Sequence, residues 1–286
     1  MGARACGHAG ESEMRKDDKG AVPSSKTKQP IKRPWRKRAL VAFGVLLFAS
    51  GSGLFIHTEW EYSVQNAANE RLAGFASPAS PNAEAGDGAR SIDWTGLRAV
   101  NPDAVAWLSI PGTNVDFPVF QGETNDTYLH TTATGEPSVG GQVFLDFESA
   151  APGLVDEQSL VYGHHLNNGT MFAQVDAMGD QAFFDEHDTV QYQTDRTFYE
   201  LTPLFFYRTP ATDADARRMS FPNQDAFHTY LRGLLAKSSA QRAGAEAAIP
   251  HVTKVLTLAT CDYDNDFGPN NGRGLLVCAL KSEVDV

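Results

Sequence analysis

Cys261 ends the apolar run Val255–Thr260 (VLTLAT), residues 262–272 (DYDNDFGPNNG) make a polar loop rich in Gly, Pro and Asn, and a second apolar run, Gly274–Leu280, starts just beyond Arg273. Two apolar runs around a turn-forming loop read as a β-hairpin. A hairpin symmetric about Phe267 sets Cys261 opposite Arg273, each six residues from the centre. A cation beside a cysteine favours the thiolate, and the thiolate is the nucleophile. The same spacing also describes a buried structural cysteine beside an exposed arginine, so both readings stand on these residues alone. Cys278 lies five residues beyond Arg273, roughly 17 Å along the strand and on its other face, which assigns it to the core and argues against a disulfide with Cys261.

In Leu160–Phe172 (LVYGHHLNNGTMF) a strand-like run stops at Gly163, and His164 and His165 follow before a polar turn. Imidazole titrates near neutrality, so a histidine at a strand end suits general acid/base work. A solvated loop or a weak metal site fits the pair as well. Two metal readings fail on inspection. Asp262, Asp264 and Asp266 imitate the start of an EF-hand loop, but Phe267 stands where glycine is required and Arg273 where glutamate is required. No Cys or His pair has the spacing of a structural zinc site. Asn168-Gly169-Thr170 matches a glycosylation sequon, which carries little meaning without a eukaryotic source.

These residues need elements to hold them. From Ile92 onward eight short apolar or alternating runs are separated by turn signals: Ala106–Ile110, Val115–Phe120, Gln142–Phe147, Ser159–Tyr162, Val190–Gln193, Phe198–Tyr207, Val252–Leu258 and Gly274–Leu280. Their Val, Phe and Tyr content predicts a mainly β domain, a barrel or a sandwich. One helix is expected over Asn223–Lys237, with Phe227, Tyr230, Leu231, Leu234 and Leu235 on one face. No repeat of 20 to 50 residues is visible, which excludes a solenoid or propeller.

Ahead of the β region, Ala39–Ile56 (ALVAFGVLLFASGSGLFI) is an uncharged run of 18 residues preceded by five cations between Lys32 and Arg38. As a helix it spans roughly 27 Å, the thickness of a bilayer's hydrocarbon layer. The basic flank predicts a cytoplasmic N-terminus, and Trp35 and Trp60 stand where interfacial aromatics belong. A cleaved signal is the competing reading; the 38-residue leader and the long run favour an uncleaved anchor. The expected organisation is a cytoplasmic tail over 1–38, a transmembrane anchor over 39–56, an extracellular helix and linker over 57–91 (with Ala76–Gly88 the linker) and a catalytic domain over 92–286. Of the 286 residues 42% are hydrophobic and 21% charged, which excludes a collagen, a wholly disordered chain and a polytopic membrane protein. Residues 1–38 carry a balance of +7 and the remainder −18, and so acidic a body lacks the basic face nucleic acid requires. Three cysteines are too few for a disulfide framework, and Cys6 falls in the polar tail.

Taken in order, several stretches resemble the class B sortases, membrane-anchored cysteine transpeptidases of Gram-positive bacteria. Thr257-Leu258-Ala259-Thr260-Cys261 is similar to the family's Thr-Leu-x-Thr-Cys signature, and Tyr162-Gly163-His164-His165 with Met171-Phe172 to its histidine segment. Asn101-Pro102-Asp103 through Trp107, Ile110-Pro111-Gly112-Thr113, Phe117-Pro118-Val119 and Thr124-Asn125 with Tyr128-Leu129 resemble its early strands, and Gly272-Arg273 its arginine segment. The resemblance spans roughly Ile92 to Leu280. It implies a closed eight-stranded β-barrel with a few helices, behind one N-terminal transmembrane helix. It implies that Cys261 is the nucleophile, His164 the general acid/base and Arg273 the residue that orients substrate and stabilises the oxyanion. Asn125, Leu129, Tyr162 and Thr260 match positions lining the family's peptide groove. The implied partners are a sorting-signal peptide of secreted proteins and an amine acceptor in a peptidoglycan precursor or a pilin; no cofactor or metal is implied. Two departures stand out: Ala259 where many members have Ser, and Asp262 directly after the cysteine. A secreted cysteine hydrolase and a non-catalytic surface module are the alternatives. Papain-like enzymes place Cys before His, the reverse of the order here. The segments Thr209–Met219 and Lys237–Pro250 are the expected walls of specificity.

Overall fold

The computed structural model describes residues 34–77, 89–262, 267 and 271–285. The tail with Cys6, most of the 76–88 linker and the interior of the 262–272 loop lie outside the described residues. Two compact units result, one up to Ser52 and one from Gly53 onward. Pro34 opens helix α1 (Pro34–Ala73), and Leu40, Phe43, Leu46 and Phe48 along it are exposed. A stretch of that length and composition can cross a membrane.

The second unit is a barrel. After the short helix α2 (Trp94–Val100) come β1 (Ala104–Ser109), β2 (Asp116–Phe120), β3 (Val143–Leu145) and β4 (Gln158–Tyr162). Two short helices, α3 (Ala173–Ala177) and α4 (Gln181–Glu186), precede β5 (Val190–Gln193) and the long β6 (Phe198–Pro210). Helix α5 (Gln224–Leu235), β7 (Ser238–Gln241) and α6 (Ala245–Ala248) lead into β8 (Val255–Asp262) and β9 (Gly272–Leu280). Strands pair in the order β5-β1-β2-β3-β4-β8-β9-β6, and β5 pairs with β6 to close an eight-stranded ring. The eight apolar runs are the eight strands of that ring.

Three differences from expectation have local causes. β7 is a ninth strand, attached to β6 outside the ring; its sequence SSAQ is polar, and only Ala240 is buried. β8 starts at Val255 and not Val252, because the Val252 N–H closes a turn onto the Ile249 carbonyl beside Pro250. β3 contracts to three residues: the Asp146 N–H still donates to the Leu160 carbonyl at 2.8 Å, but a turn closes immediately after it, the Ser149 N–H donating to the Asp146 carbonyl at 3.0 Å.

Alternation along β9 shows where the core sits. Leu276 and Cys278 face the barrel interior with Leu108, Val161 and Leu258, whereas Leu275, Val277 and Ala279 pack beneath α5 against Phe227 and Leu231. A strand buried on both faces reads as a continuous apolar run, as GLLVCAL does. Cys278 is a free, fully buried thiol whose pKa burial pushes up, the core role its spacing predicts. Asn223 caps α5, accepting from the Ala226 N–H at 2.9 Å, and the predicted face is buried except Tyr230, which stays half-exposed.

Candidate active site

Three strands bring the sequence-predicted residues together. β8 and β9 pair antiparallel with Cys261 opposite Arg273 and Asp262 opposite Gly272, the register expected from the loop's symmetry. β4 runs parallel to β8 with Tyr162 beside Ala259. The Gly163 N–H continues that ladder to the Ala259 carbonyl at 3.2 Å, so His164 emerges at the strand end next to the cysteine-bearing strand. A Cβ on Gly163 would stand 2.6 Å from the Phe172 ring, which is why this position must be glycine.

The pocket at this junction is lined by His164, Arg273 and Thr260 together with Asn125, Leu129 and Tyr162. Gly163, Ala259, Phe144, Asp126 and Arg217 complete its wall. Every site residue expected from the sequence is therefore a pocket residue, apart from Cys261, whose backbone position in β8 abuts it. Ala259 offers the wall a methyl and no hydroxyl. Of the two expected walls, 209–219 contributes Arg217, whereas 237–250 folds into β7 and α6 and supplies none of the lining residues among those described.

His164 is set by its neighbours. Its Nε2 lies 2.7 Å from the Leu129 carbonyl oxygen. A carbonyl only accepts, so Nε2 carries the hydrogen and Nδ1 is the lone-pair nitrogen of the neutral ring. Burial holds its pKa below the usual histidine value; the Leu129 carbonyl pulls it up, and His130 and Arg273 add to the lowering. The His130 ring stacks on that of His164 with centroids 5.4 Å apart. Arg273 uses one donor on the Gly272 carbonyl, Nη1 to O at 2.7 Å, while lining the pocket. Thr260 is buried, and among the described residues its Oγ1 has no hydrogen-bond partner.

Asp146 and Arg217 were not singled out from the sequence. An acid inside the apolar run Gln142–Phe147 was the available signal, because a buried carboxylate demands partners. Arg217, in a loop without pattern, gave none. Among the described residues no three His, Cys, Asp or Glu side chains cluster in a way that could hold a metal ion.

Residues 108–281 match the family model of the sortase domain. Sortase B of Listeria monocytogenes is 29% identical over 231 residues, covering 80% of this chain and 89% of its own. The X-ray structure of Clostridium perfringens sortase B is similar with a TM-score of 0.58 at 33% identity, over 65% of this chain and 97% of that one. Staphylococcus aureus sortase B, solved as a substrate complex and with triglycine, gives a TM-score of 0.57 at 26% identity in each case, over 65% of this chain and 83% of that one.

Proposed function

Because the chain belongs to the sortase family, within class B, and is a cysteine transpeptidase, we propose that Cys261 is its nucleophile, His164 its general acid/base and Arg273 its peptide-orienting and oxyanion-stabilising residue. The observation that carries this assignment is the strand register: Cys261 pairs with Arg273 where the His164 pocket opens.

The reaction divides one difficult acyl transfer into two easier ones. The Cys261 thiolate adds to the carbonyl carbon of a sorting-signal threonine and generates a tetrahedral oxyanion. Collapse breaks the C–N bond, and His164 Nδ1–H passes its proton to the departing amine. The thioester is then attacked by a second amine, whose proton returns to Nδ1 as the C–S bond breaks and the thiolate is released. Arg273 can donate to the oxyanion in both steps, and losing one such donor costs about 10²–10³ in rate. A histidine pKa drawn down by its surroundings favours the base form that the second step needs and makes the acid form of the first step the costlier one. Asn125, Leu129, Tyr162 and Thr260 hold the peptide.

The acceptor in this reading is an amine of a peptidoglycan precursor, in keeping with the Staphylococcus aureus relative solved with triglycine. Residues 39–56 anchor the enzyme with its N-terminus cytoplasmic and the barrel outside, where exported peptide and lipid-linked precursor meet. The exposed apolar side chains of α1 and the preceding cations support that placement.

The test incubates the detergent-solubilised full chain with a library of sorting-type peptides and hydroxylamine, with Cys261→Ala in parallel, and reads products by mass spectrometry. Hydroxamates formed only by the intact cysteine are the expected result. Full activity of Cys261→Ala would overturn the assignment.

A further inference from the structure

Asp146 has no solvent exposure, yet it stands directly behind the peptide pocket as a charged side chain. Its Oδ2 accepts from the Tyr162 hydroxyl at 2.8 Å, Asn125 Nδ2 at 3.0 Å and Arg217 Nε at 3.0 Å. Its Oδ1 accepts from Arg217 Nη2 at 3.1 Å and the Glu148 N–H at 3.0 Å. Arg217 Nη2 also reaches Glu148 Oε2 at 2.7 Å. Three of these donors, Asn125, Tyr162 and Arg217, are pocket residues, so a single buried acceptor fixes the polar wall of the pocket from behind. Taking a carboxylate out of water is costly unless an opposite charge and a full set of donors meet it, and removing the cation alone leaves an uncompensated anion. Arg217 supplies that cation. The backbone around it is held independently: Gln158 Nε2 donates to the carbonyls of Ala216 at 3.2 Å and Arg218 at 2.9 Å, and the Tyr230 hydroxyl to that of Asp215 at 3.0 Å.

We propose that Arg217, acting through the buried Asp146 carboxylate, is a positioning residue that sets the shape of the peptide pocket and hence peptide capture and selectivity, with no part in the acyl-transfer chemistry. The inference rests on the reading that this pocket takes the sorting peptide. With the guanidinium gone, the Asp146 carboxylate loses its cation and re-orients, and Tyr162 and Asn125 lose their common anchor. Arg217→Met keeps the aliphatic stem and leaves the local backbone tied by Gln158 and Tyr230, so a folded variant is expected. Asp146→Asn keeps the shape and an acceptor oxygen while turning an N–H toward Arg217.

The experiment uses the full chain in detergent and a fluorescein-labelled peptide chosen as the fastest-reacting member of a random pentapeptide library. Arg217→Met should raise KM about tenfold, the value of a lost charge-assisted hydrogen bond, and leave kcat within about a factor of two. The rate of Cys261 alkylation by iodoacetamide should be unchanged, and discrimination between the chosen peptide and its single-residue variants should narrow. Asp146→Asn should reproduce the KM change, the double variant should add nothing to it, Arg217→Lys should recover part of it, and Arg232→Met, which breaks an exposed ion pair between α5 and Glu246 of α6, should change nothing. A fall in kcat with KM unmoved, or slowed alkylation, would overturn the proposal. Peptide affinity measured by anisotropy in the Cys261→Ala background separates two failures. If Leu129→Ala weakens binding and Arg217→Met does not, Arg217 is idle; if neither does, the peptide binds elsewhere and the reading of the pocket falls with the proposal.

Discussion

Burial sets the protonation state of His164 before any peptide arrives. Desolvation is the largest influence on its pKa, His130 and Arg273 push in the same direction, and the Leu129 carbonyl only partly opposes them. A free histidine titrates near 6.5, so between the lower folded value and about 6.5 the unfolded chain binds more protons than the folded one. Stability from this residue is therefore present above about 6.5 and lost as pH falls through the folded pKa. An NMR titration of the His164 ring should show a midpoint below 6.5, and Arg273→Met should move it upward by removing a neighbouring cation. A midpoint at or above 6.5 in the unaltered protein would contradict the account. Thr260 offers a second test at this scale. Its buried hydroxyl lacks a partner among the described residues while lining the pocket, so replacing it removes an uncompensated desolvation cost and a waiting donor at once. Thr260→Val should leave Tm unchanged or raised, and should increase the peptide KM about three- to tenfold, the worth of one neutral hydrogen bond. Cys261, His164 and Arg273 stood out in the sequence because their residue types can carry chemistry, but spacing alone also allowed a structural cysteine and a solvated histidine pair, and it was the resemblance to the class B sortases that singled them out. Asp146 and Arg217 did not stand out, because an ion pair between residues 71 apart becomes visible only once the fold joins them.

The elements were legible for a different reason. A barrel strand must satisfy an interior face and a flanking layer, so GLLVCAL and VLTLAT announce themselves as apolar runs; counting eight such runs left a barrel and a sandwich both open, and closure into a ring was implied only by the family resemblance. Where burial is slight the signal vanishes: SSAQ is a strand only because β6 runs on past its pairing with β5 and offers β7 that edge. Boundaries blurred where a turn took over from the ladder, as before Val255 and after Asp146. The parallel pairing of β4 with β8, which sets the histidine segment beside the cysteine strand, leaves no trace in local sequence, since parallel neighbours here lie about a hundred residues apart. Glycine at 163 is what that junction requires, with the Phe172 ring packed against its backbone. Phe172 is itself fully buried and has little room to yield. Gly163→Ala should destabilise the domain by about 1–3 kcal/mol, a typical cost of overpacking. In a domain of this size that lowers Tm by roughly 2–10 °C. Because His164 is the next residue, kcat/KM should fall along with Tm; an alanine variant with native melting and native activity would show that the ring moves aside freely.

At the scale of the whole molecule, the part of α1 that belongs to the barrel unit does more than lead into it. Gln65 is buried; its Nε2 donates to the Gly141 carbonyl at 3.1 Å and its Oε1 accepts from the Ser138 hydroxyl. That hydroxyl in turn accepts from the Gly140 N–H at 3.2 Å and the Gly141 N–H at 3.1 Å, so one helix side chain organises the turn over 138–141. Gly141 is in the left-handed region with φ +52°, and a Cβ there would stand 2.2 Å from the Tyr128 carbonyl. The next residue, Gln142, donates its N–H to that same carbonyl at 3.0 Å. Tyr128 precedes Leu129, whose carbonyl fixes the His164 tautomer. Hydrogen bonds and the short backbone links between them thus connect the N-terminal helix to His164, and the helix braces this pocket from outside the barrel. Gln65→Ala leaves the Ser138 hydroxyl and the Gly141 carbonyl without their buried partner, a loss of about 1–3 kcal/mol that falls on this turn and not on the ring of strands. Amide hydrogen exchange at Gly140, Gly141 and Gln142 should accelerate about tenfold or more while the strand amides of β8 and β9 keep their protection. The titration midpoint of His164 should shift in the same variant as its hold on Leu129 loosens. Exchange at the turn that stays at its native rate would mean that α1 merely rests on the barrel, and that the site is complete without it.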